Sequence, residues 1–127
     1  MIDVLLVEDN EVFREALEVL LGLADGVRVV AAVADGESAL DTCRKSAPDV
    51  IVMDYRLPDL DGVETTKALA KACPDAAVVA LTAAADEPAI AALLDAGAVS
   101  CLTKDQELDE IVAAIREAAG LRAAPDD

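Results

Sequence analysis

The chain has 127 residues, of which 55% are apolar and 2% aromatic, and its formal net charge is −16 at pH 7. This length suits one domain whose core is built from aliphatic side chains and alanine. The acidic surplus argues against direct nucleic-acid binding, which needs a basic patch, and no apolar run approaches the roughly 20 residues of a membrane span.

The start of the chain has neither the basic segment nor the cleavage site of a secretory signal, so the sequence predicts a cytoplasmic protein. Cys43, Cys73 and Cys101 are widely spaced, and the chain has no histidine. This pattern disfavours a zinc site. We therefore expect three buried free thiols.

The predicted elements alternate between strands and helices along the chain. In chain order they are a strand Ile2–Val7, a helix Glu11–Gly22, a strand Val27–Ala32, a helix Glu37–Ser46, a strand Val50–Met53, a helix Gly62–Ala72, a strand Ala77–Leu81, a helix Pro88–Ala96, a strand Val99–Leu102 and a helix Leu108–Ala119. The third and fourth strands are almost continuously apolar, as parallel strands covered on both faces are. In the first helix, Phe13, Leu17 and Leu20 recur at helical spacing on one apolar face.

Strict alternation with short connections predicts an α/β fold. The expected form is a doubly wound (βα)5 three-layer sandwich around a parallel five-stranded sheet of order 2-1-3-4-5, which is the flavodoxin-like arrangement. In such sheets, ligands bind at the carboxyl ends of strands 1 and 3. The domain is expected to cover residues 1–119, with Gly120–Asp127 as a tail or the start of a linker.

Polar residues stand at the ends of four of the predicted strands. Glu8 and Asp9 follow strand 1, Asp54 follows strand 3, Thr82 follows strand 4 and Lys104 follows strand 5. Three carboxylates brought together call for a cation, because like charges raise one another's pKa, and hard oxygen ligands suit Mg²⁺. A lysine and a hydroxyl beside them can meet phosphoryl oxygens. This set is suited to phosphoryl transfer onto a carboxylate nucleophile.

Each of these residues taken singly is more often a helix cap, a turn residue or a solvated side chain. Their joint placement at four strand ends changes that balance, because four coincidences are rarer than one site.

The motifs around these residues resemble the receiver domains of two-component response regulators across residues 2–119. The matching segments are Val7–Asn10 (VEDN), Asp54–Gly62 (DYRLPDLDG, against D-x-x-[ML]-P-x-x-D-G), Leu81–Ala83 (LTA), and Gly97-Ala98 followed by Leu102–Lys104 (LTK). Val-Glu-Asp at strand 1 and Lys-Asp after strand 5 are most similar to receivers attached to a LuxR-type helix-turn-helix domain.

The resemblance implies a division of roles. Asp54 would accept a phosphoryl group from a sensor histidine kinase, Lys104 would pair with that group, and Thr82 would move toward it. The implied Mg²⁺ ligands are Asp9, Asp54 and the backbone carbonyl of Arg56, with Glu8 acting mainly through a metal-bound water. The protein would then be a signalling switch rather than an enzyme, catalysing only its own phosphoryl transfer and autodephosphorylation.

Two positions depart from the family pattern. Cys101 stands where receivers usually have an aromatic residue whose rotation is coupled to the switch threonine. Asp105 stands where many receivers have a proline after a cis peptide bond. A cis bond before a non-proline residue costs about 3 kcal/mol, so we expect Lys104–Asp105 to be trans.

The resulting hypothesis is a phosphorylated switch that forms a homodimer on phosphorylation and controls transcription through a DNA-binding domain outside this chain. We expect this chain to be a receiver domain that has been separated from such a DNA-binding domain. The alternative to such a separation is a regulator that consists of the receiver domain alone. The alternative is a pseudo-receiver, an interaction module that works without phosphorylation and for which Cys101 is the sole support. A flavodoxin-like FMN carrier is disfavoured because the acidic Glu8–Glu11 would repel a phosphate after strand 1.

Overall fold

The computed structural model describes residues 1–56, 61–82 and 87–123, without the side chains of residues 121–123. Ten elements alternate in these ranges: β1 Ile2–Val7, α1 Glu11–Gly22, β2 Val27–Val33, α2 Gly36–Ser46, β3 Val50–Asp54, α3 Gly62–Ala72, β4 Ala77–Thr82, α4 Glu87–Ala96, β5 Ser100–Thr103 and α5 Leu108–Ala123. The strands form one parallel sheet of order β2-β1-β3-β4-β5. The predicted fold class and strand order are confirmed.

The largest difference from the predicted boundaries is at the end of α5. The helix continues through Gly120 to Ala123 instead of ending at Ala119. A glycine inside a helix costs only about 1 kcal/mol relative to alanine, so it does not by itself stop a helix. Residues 124–127, the rest of the predicted tail, lie outside the described residues.

The core consists of two layers, one on each face of the sheet. Along β1, Val4 and Leu6 pack into a cluster with α1 and α5, whereas Leu5 and Val7 pack into a second cluster with α2, α3 and α4. This alternation is the period-2 geometry of a strand. All four side chains are almost completely buried, and burying each contributes about 1.5–3 kcal/mol.

Three helices begin with a side chain that caps the first turn. Asn10 accepts a hydrogen bond from the backbone N–H of Phe13, and Asp35 and Asp61 cap α2 and α3 in the same way. Such caps satisfy N–H groups that have no partner within the helix. Within the described ranges, no helix has both the length and the apolar character that crossing a bilayer demands.

Cys43 and Cys73 form a disulfide, with their Cα atoms 6.5 Å apart. The prediction of three free thiols is therefore wrong for this pair. Cys43 lies on the buried side of α2, and Cys73 directly follows α3 in the same core cluster. The two helices pack side by side on one face of the sheet, which brings residues 30 positions apart together. Cys101 is free and half-buried.

Candidate functional site

The register of the sheet brings the functional strand ends to one edge. Val7, the last residue of β1, pairs with Met53, and Asp54 pairs with Leu81. Thr82 pairs with Thr103 at the end of β5. Because the strands are parallel, Glu8, Asp54, Thr82 and Lys104 all leave the sheet at this edge, as the sequence predicted.

Three carboxylates meet there. Glu8, Asp9 and Asp54 each offer an oxygen atom, and these oxygens lie within 4.8 Å of one another. Glu8 is 1% exposed and Asp54 is 4% exposed, whereas Asp9 is open to solvent. Clustered hard oxygen donors with one side open to water fit Mg²⁺, which usually retains several waters.

The ammonium group of Lys104 faces this cluster. Its Nζ atom lies 2.6 Å from Oε1 of Glu8 and 3.3 Å from Oδ2 of Asp54. The same atom lies 4.8 Å from the centroid of the Phe13 ring. Sequence reasoning placed Phe13 only on the apolar face of α1 and missed its contact with the site. A signal was present, because Phe13 is the one phenylalanine of the chain and lies only four residues after Asp9.

Burial and charge shift the acid–base properties of this pair. Burial raises the pKa of Glu8, an effect that the hydrogen bonds from Lys104 and the Asn10 N–H reduce but do not cancel. Burial alone would lower the pKa of Lys104, but the carboxylates of Glu8 and Asp54 outweigh it and raise that pKa. At neutral pH the ammonium of Lys104 is therefore protonated, and burial makes ionisation of Glu8 less favourable than in water.

The backbone around Glu8 is fixed by several hydrogen bonds. The N–H of Glu8 donates to the carbonyl of Val33, which extends the pairing of β1 with β2. The Asn10 N–H donates to Oε2 of Glu8 at 3.0 Å, and Nη1 of Arg14 donates to the Glu8 carbonyl at 2.9 Å. Hydrogen bonds to β2 and to the start of α1 therefore hold Glu8 at the end of β1.

The backbone after Asp54 is also constrained. The Tyr55 N–H donates to the Leu81 carbonyl at 2.8 Å, and the Gly62 N–H donates to the Tyr55 carbonyl at 2.7 Å. A Cβ atom at Gly62 would lie 2.5 Å from that carbonyl oxygen, so the close approach requires glycine. Asp61 caps α3, because its side chain accepts a hydrogen bond from the Glu64 N–H. Arg56 is exposed, and its carbonyl stays a predicted ligand, while residues 57–60 of the motif lie outside the described residues.

Thr82 and Cys101 lie on the neighbouring strands β4 and β5. Thr82 is buried at the end of β4, and its carbonyl accepts a hydrogen bond from the Lys104 N–H at 2.7 Å. Burial raises the pKa of the Cys101 thiol. The described peptide bonds include no cis bond, so Lys104–Asp105 is trans as predicted. Ala83, the small neighbour of Thr82 in the motif, lies outside the described residues.

Comparison with known proteins identifies the family. Residues 4–116 match the family model of the response regulator receiver domain. The chain is 40% identical over 116 residues to the response regulator GacA of Pseudomonas viridiflava, a match that covers 91% of the chain and 54% of that protein. It is 37% identical over 116 residues to the response regulator UvrY of Escherichia coli K12, with coverage of 91% and 53%. The chain thus spans about half the length of these curated relatives.

Solved structures agree with this match. The signal receiver domain of the response regulator NarL from Mycobacterium tuberculosis superposes with a TM-score of 0.87 and 32% identity, covering 93% of this chain and 95% of that one. A two-component response regulator of the LuxR family from Aurantimonas gives a TM-score of 0.90 and 30% identity, with coverage of 96% and 87%.

Proposed function

Since the chain belongs to the receiver-domain family of two-component response regulators and is similar to a LuxR-family member, we propose that it is a phosphorylation-driven switch whose acceptor is Asp54. The observation that carries this proposal is a cluster of three carboxylates at the carboxyl edge of the sheet, two of which, Glu8 and Asp54, contact the ammonium of Lys104. Glu8 and Asp54 are both buried and both contact Lys104. Asp54 is proposed as the acceptor because it ends β3 and begins the segment that resembles the family signature.

The acidic cluster is suited to hold Mg²⁺. Asp9 and Asp54 would bind the ion together with the backbone carbonyl of Arg56, and Glu8 would act mainly through a bound water. Three carboxylates facing one lysine leave an excess of negative charge, which a divalent cation would neutralise. When bound, Mg²⁺ would supply charge neutralisation for the phosphoryl oxygens.

The side chains of the site divide the work of phosphoryl transfer. A carboxylate oxygen of Asp54 attacks the phosphorus atom of a phosphohistidine, the P–N bond breaks with its electron pair leaving on the histidine nitrogen, and an acyl phosphate forms. Lys104, 3.3 Å from Asp54 in the resting site, pairs with a phosphoryl oxygen as charge accumulates there. The Thr82 hydroxyl donates a hydrogen bond to another phosphoryl oxygen. Phosphorylation of Asp54 is thereby linked to the conformation of the end of β4.

The partners and the output are part of the same proposal. The phosphoryl donor is a sensor histidine kinase, this protein acts in the cytoplasm, and phosphorylation promotes a homodimer. The output is transcriptional and lies in a domain outside this chain. The support is that curated relatives named as response regulators extend to about twice the matched length. The chain's own charge of −16 supports an output that does not rely on this domain to contact DNA.

Phosphodonor labelling tests the acceptor. The chain is incubated with acetyl phosphate, with or without Mg²⁺, and intact-protein mass spectrometry measures the gain of one phosphoryl group. We expect labelling that requires Mg²⁺ in the wild type and is lost in Asp54→Ala. The matched control is Asp41→Asn, because Asp41 is an exposed aspartate that pairs with Lys45 away from the site, and it should label like the wild type.

Two outcomes would argue against the proposal. Labelling of Asp54→Ala at the wild-type level would place the acceptor elsewhere. A wild-type chain that takes no phosphoryl group from acetyl phosphate or from a phosphorylated kinase would favour the pseudo-receiver, in which the domain binds its partners without phosphorylation.

A further inference from the structure

We propose that Phe13 is a positioning residue for Lys104, holding the ammonium group beside the acceptor carboxylate by a cation–π contact. The inference deepens the proposed function and rests on it for its kinetic consequence, but the contact itself is independent of phosphorylation.

The geometry supports an attractive contact between the two side chains. Nζ of Lys104 lies 4.8 Å from the centroid of the Phe13 ring, which is within the roughly 6 Å range of a cation–π interaction. The Lys104 side chain is 22% exposed, so the ammonium is partly desolvated and the negative face of the ring is less screened than on an open surface.

Hydrogen bonds tie the backbone that carries the ring to the turn at Glu8–Asn10. The backbone N–H of Phe13 donates to Oδ1 of Asn10 at 2.9 Å, and the N–H of Asn10 donates to Oε2 of Glu8 at 3.0 Å. The other oxygen of Glu8 contacts Lys104 at 2.6 Å. The ring and the carboxylate that share Lys104 therefore belong to the same short segment, residues 8–13, and the ring also packs against the core cluster beneath α1.

The need for such a contact follows from the flexibility of lysine. Lys104 lies just beyond the last residue of β5 and reaches the carboxylates through a four-carbon stem with many rotamers. Glu8 is the nearer carboxylate, at 2.6 Å against 3.3 Å for Asp54. An ammonium drawn only to Glu8, or outward to water, would be poorly placed for a phosphoryl group on Asp54. A ring face against the ammonium restricts those alternatives.

The substitution Phe13→Leu tests the role of the ring, because leucine keeps an apolar side chain against the core but has no π face. Phe13→Tyr is the conservative rescue variant. Val12→Ala is the control, since Val12 is the neighbouring residue of α1 and is exposed. Far-UV circular dichroism and thermal melts establish that each variant folds.

The first readout is NMR of the lysine side chains in protein that is not phosphorylated. In the wild type, the Cε protons of Lys104 should be shifted upfield by the ring current, relative to those of the exposed Lys45. Phe13→Leu should move them toward the Lys45 position, and Phe13→Tyr and Val12→Ala should keep the upfield shift. Equal Lys104 shifts in Phe13→Leu and wild type would overturn the proposal.

The second readout is the rate of Asp54 labelling by acetyl phosphate at saturating Mg²⁺. Phe13→Leu should slow it about two- to five-fold, the factor expected for losing a partly exposed cation–π contact, and Phe13→Tyr should restore it. A Phe13→Leu rate equal to that of Phe13→Tyr would contradict the positioning role. If the wild type takes no label, the proposed function fails, and the NMR comparison still decides whether the ring holds the ammonium.

Discussion

Glu8 and Lys104 form a 2.6 Å ion pair in which the carboxylate is almost completely buried. Despite this partner, the pKa of Glu8 is raised, because burial penalises its charge more than Lys104 and the Asn10 N–H stabilise it. The same ammonium also faces Asp54 at 3.3 Å. One lysine is thus shared by two buried carboxylates, with Asp9 beside them. The cluster thus holds three carboxylates against one ammonium group, a surplus of formal negative charge.

The surplus charge predicts that Mg²⁺ stabilises the fold. A ligand that binds only the folded state adds RT ln(1 + [L]/Kd), about 2.7 kcal/mol at a hundredfold excess over Kd. The measurement is thermal unfolding in MgCl₂ against NaCl of equal ionic strength, which separates site binding from general screening of the acidic surface. Asp9→Asn should lose most of the gain and Asp41→Asn should keep it. An equal gain in Asp9→Asn would place the bound ion elsewhere.

The pKa of Glu8 predicts a pH-dependent effect of Glu8→Gln in metal-free protein. A carboxyl whose folded-state pKa is raised contributes stability below its unfolded value of 4.5 and loses that contribution as pH rises through the folded value. Ionising Glu8 therefore costs stability, and a neutral glutamine removes that cost while Lys104 keeps Asp54 as a partner. We expect Glu8→Gln to raise the free energy of unfolding at pH 7 by about 0.5–2 kcal/mol.

Urea unfolding in EDTA at pH 7 and at pH 4.5 measures this effect, and the gain should shrink at the lower pH. The exposed Glu18→Gln on α1 is the control and should change little at either pH. A Glu8→Gln variant less stable than the wild type at pH 7 would show that the ion pair outweighs the burial cost.

The acidic cluster could be predicted from sequence because it depends on backbone topology. Once the alternation of strands and helices fixes a parallel sheet, residues that follow β1, β3, β4 and β5 must share an edge, whatever their rotamers. Glu8, Asp54 and Lys104 met as expected for this reason. The Phe13 contact depends on side-chain directions at the start of α1, and hydrophobic spacing indicates only that the residue faces inward.

The Cys43–Cys73 pairing could not be predicted for a related reason. The spacing of apolar residues places Cys43 on the inner side of α2, but it does not give the distance between α2 and the end of α3. Burial was predicted correctly for Cys43, which is 1% exposed, while the bond arises from how two helices pack on the same face. The spacing of apolar residues within α2 or α3 does not indicate where the cysteine of the other helix lies.

The disulfide predicts that a reductant destabilises the protein. Closing a loop between residues 30 positions apart is worth about 3–4 kcal/mol in the chain-entropy account. Urea unfolding with and without dithiothreitol measures the loss in the wild type. The reductant should have no effect on Cys73→Ser and should keep its full effect on Cys101→Ser. Equal stability of the wild type with and without reductant would contradict a stabilising bond.

The Cys101 thiol is expected to react slowly in the folded protein. Burial raises its pKa, so less of it is thiolate at pH 8 than in a solvated cysteine, and the thiolate is the reactive form. Iodoacetamide should modify one thiol per unreduced chain, at a rate several-fold below that of the chain unfolded in urea without reductant. Mass spectrometry follows the reaction, and equal rates in folded and unfolded chains would contradict the protection.

Gly62→Ala is expected to disturb the segment that follows Asp54. The new Cβ would lie 2.5 Å from the carbonyl oxygen and 2.8 Å from the Cα atom of Tyr55, and both are backbone atoms that cannot rotate away. Relieving the overlap must shift the start of α3 or Tyr55, whose N–H donates to the Leu81 carbonyl next to Asp54. We expect a loss of about 1–3 kcal/mol in unfolding free energy, together with slower labelling of Asp54.

Gly22→Ala provides the matched control for Gly62→Ala. Gly22 is the last residue of α1, and a Cβ there would meet nothing within 4 Å. The same substitution should therefore stabilise the fold by about 0.4–1 kcal/mol through the reduced entropy of the unfolded chain, and leave labelling unchanged. Opposite signs for the two variants in urea unfolding would show that the close approach of α3 to Tyr55 requires glycine. A Gly62→Ala protein as stable as Gly22→Ala would show that the backbone around Tyr55 accommodates the new Cβ without a loss in the free energy of unfolding.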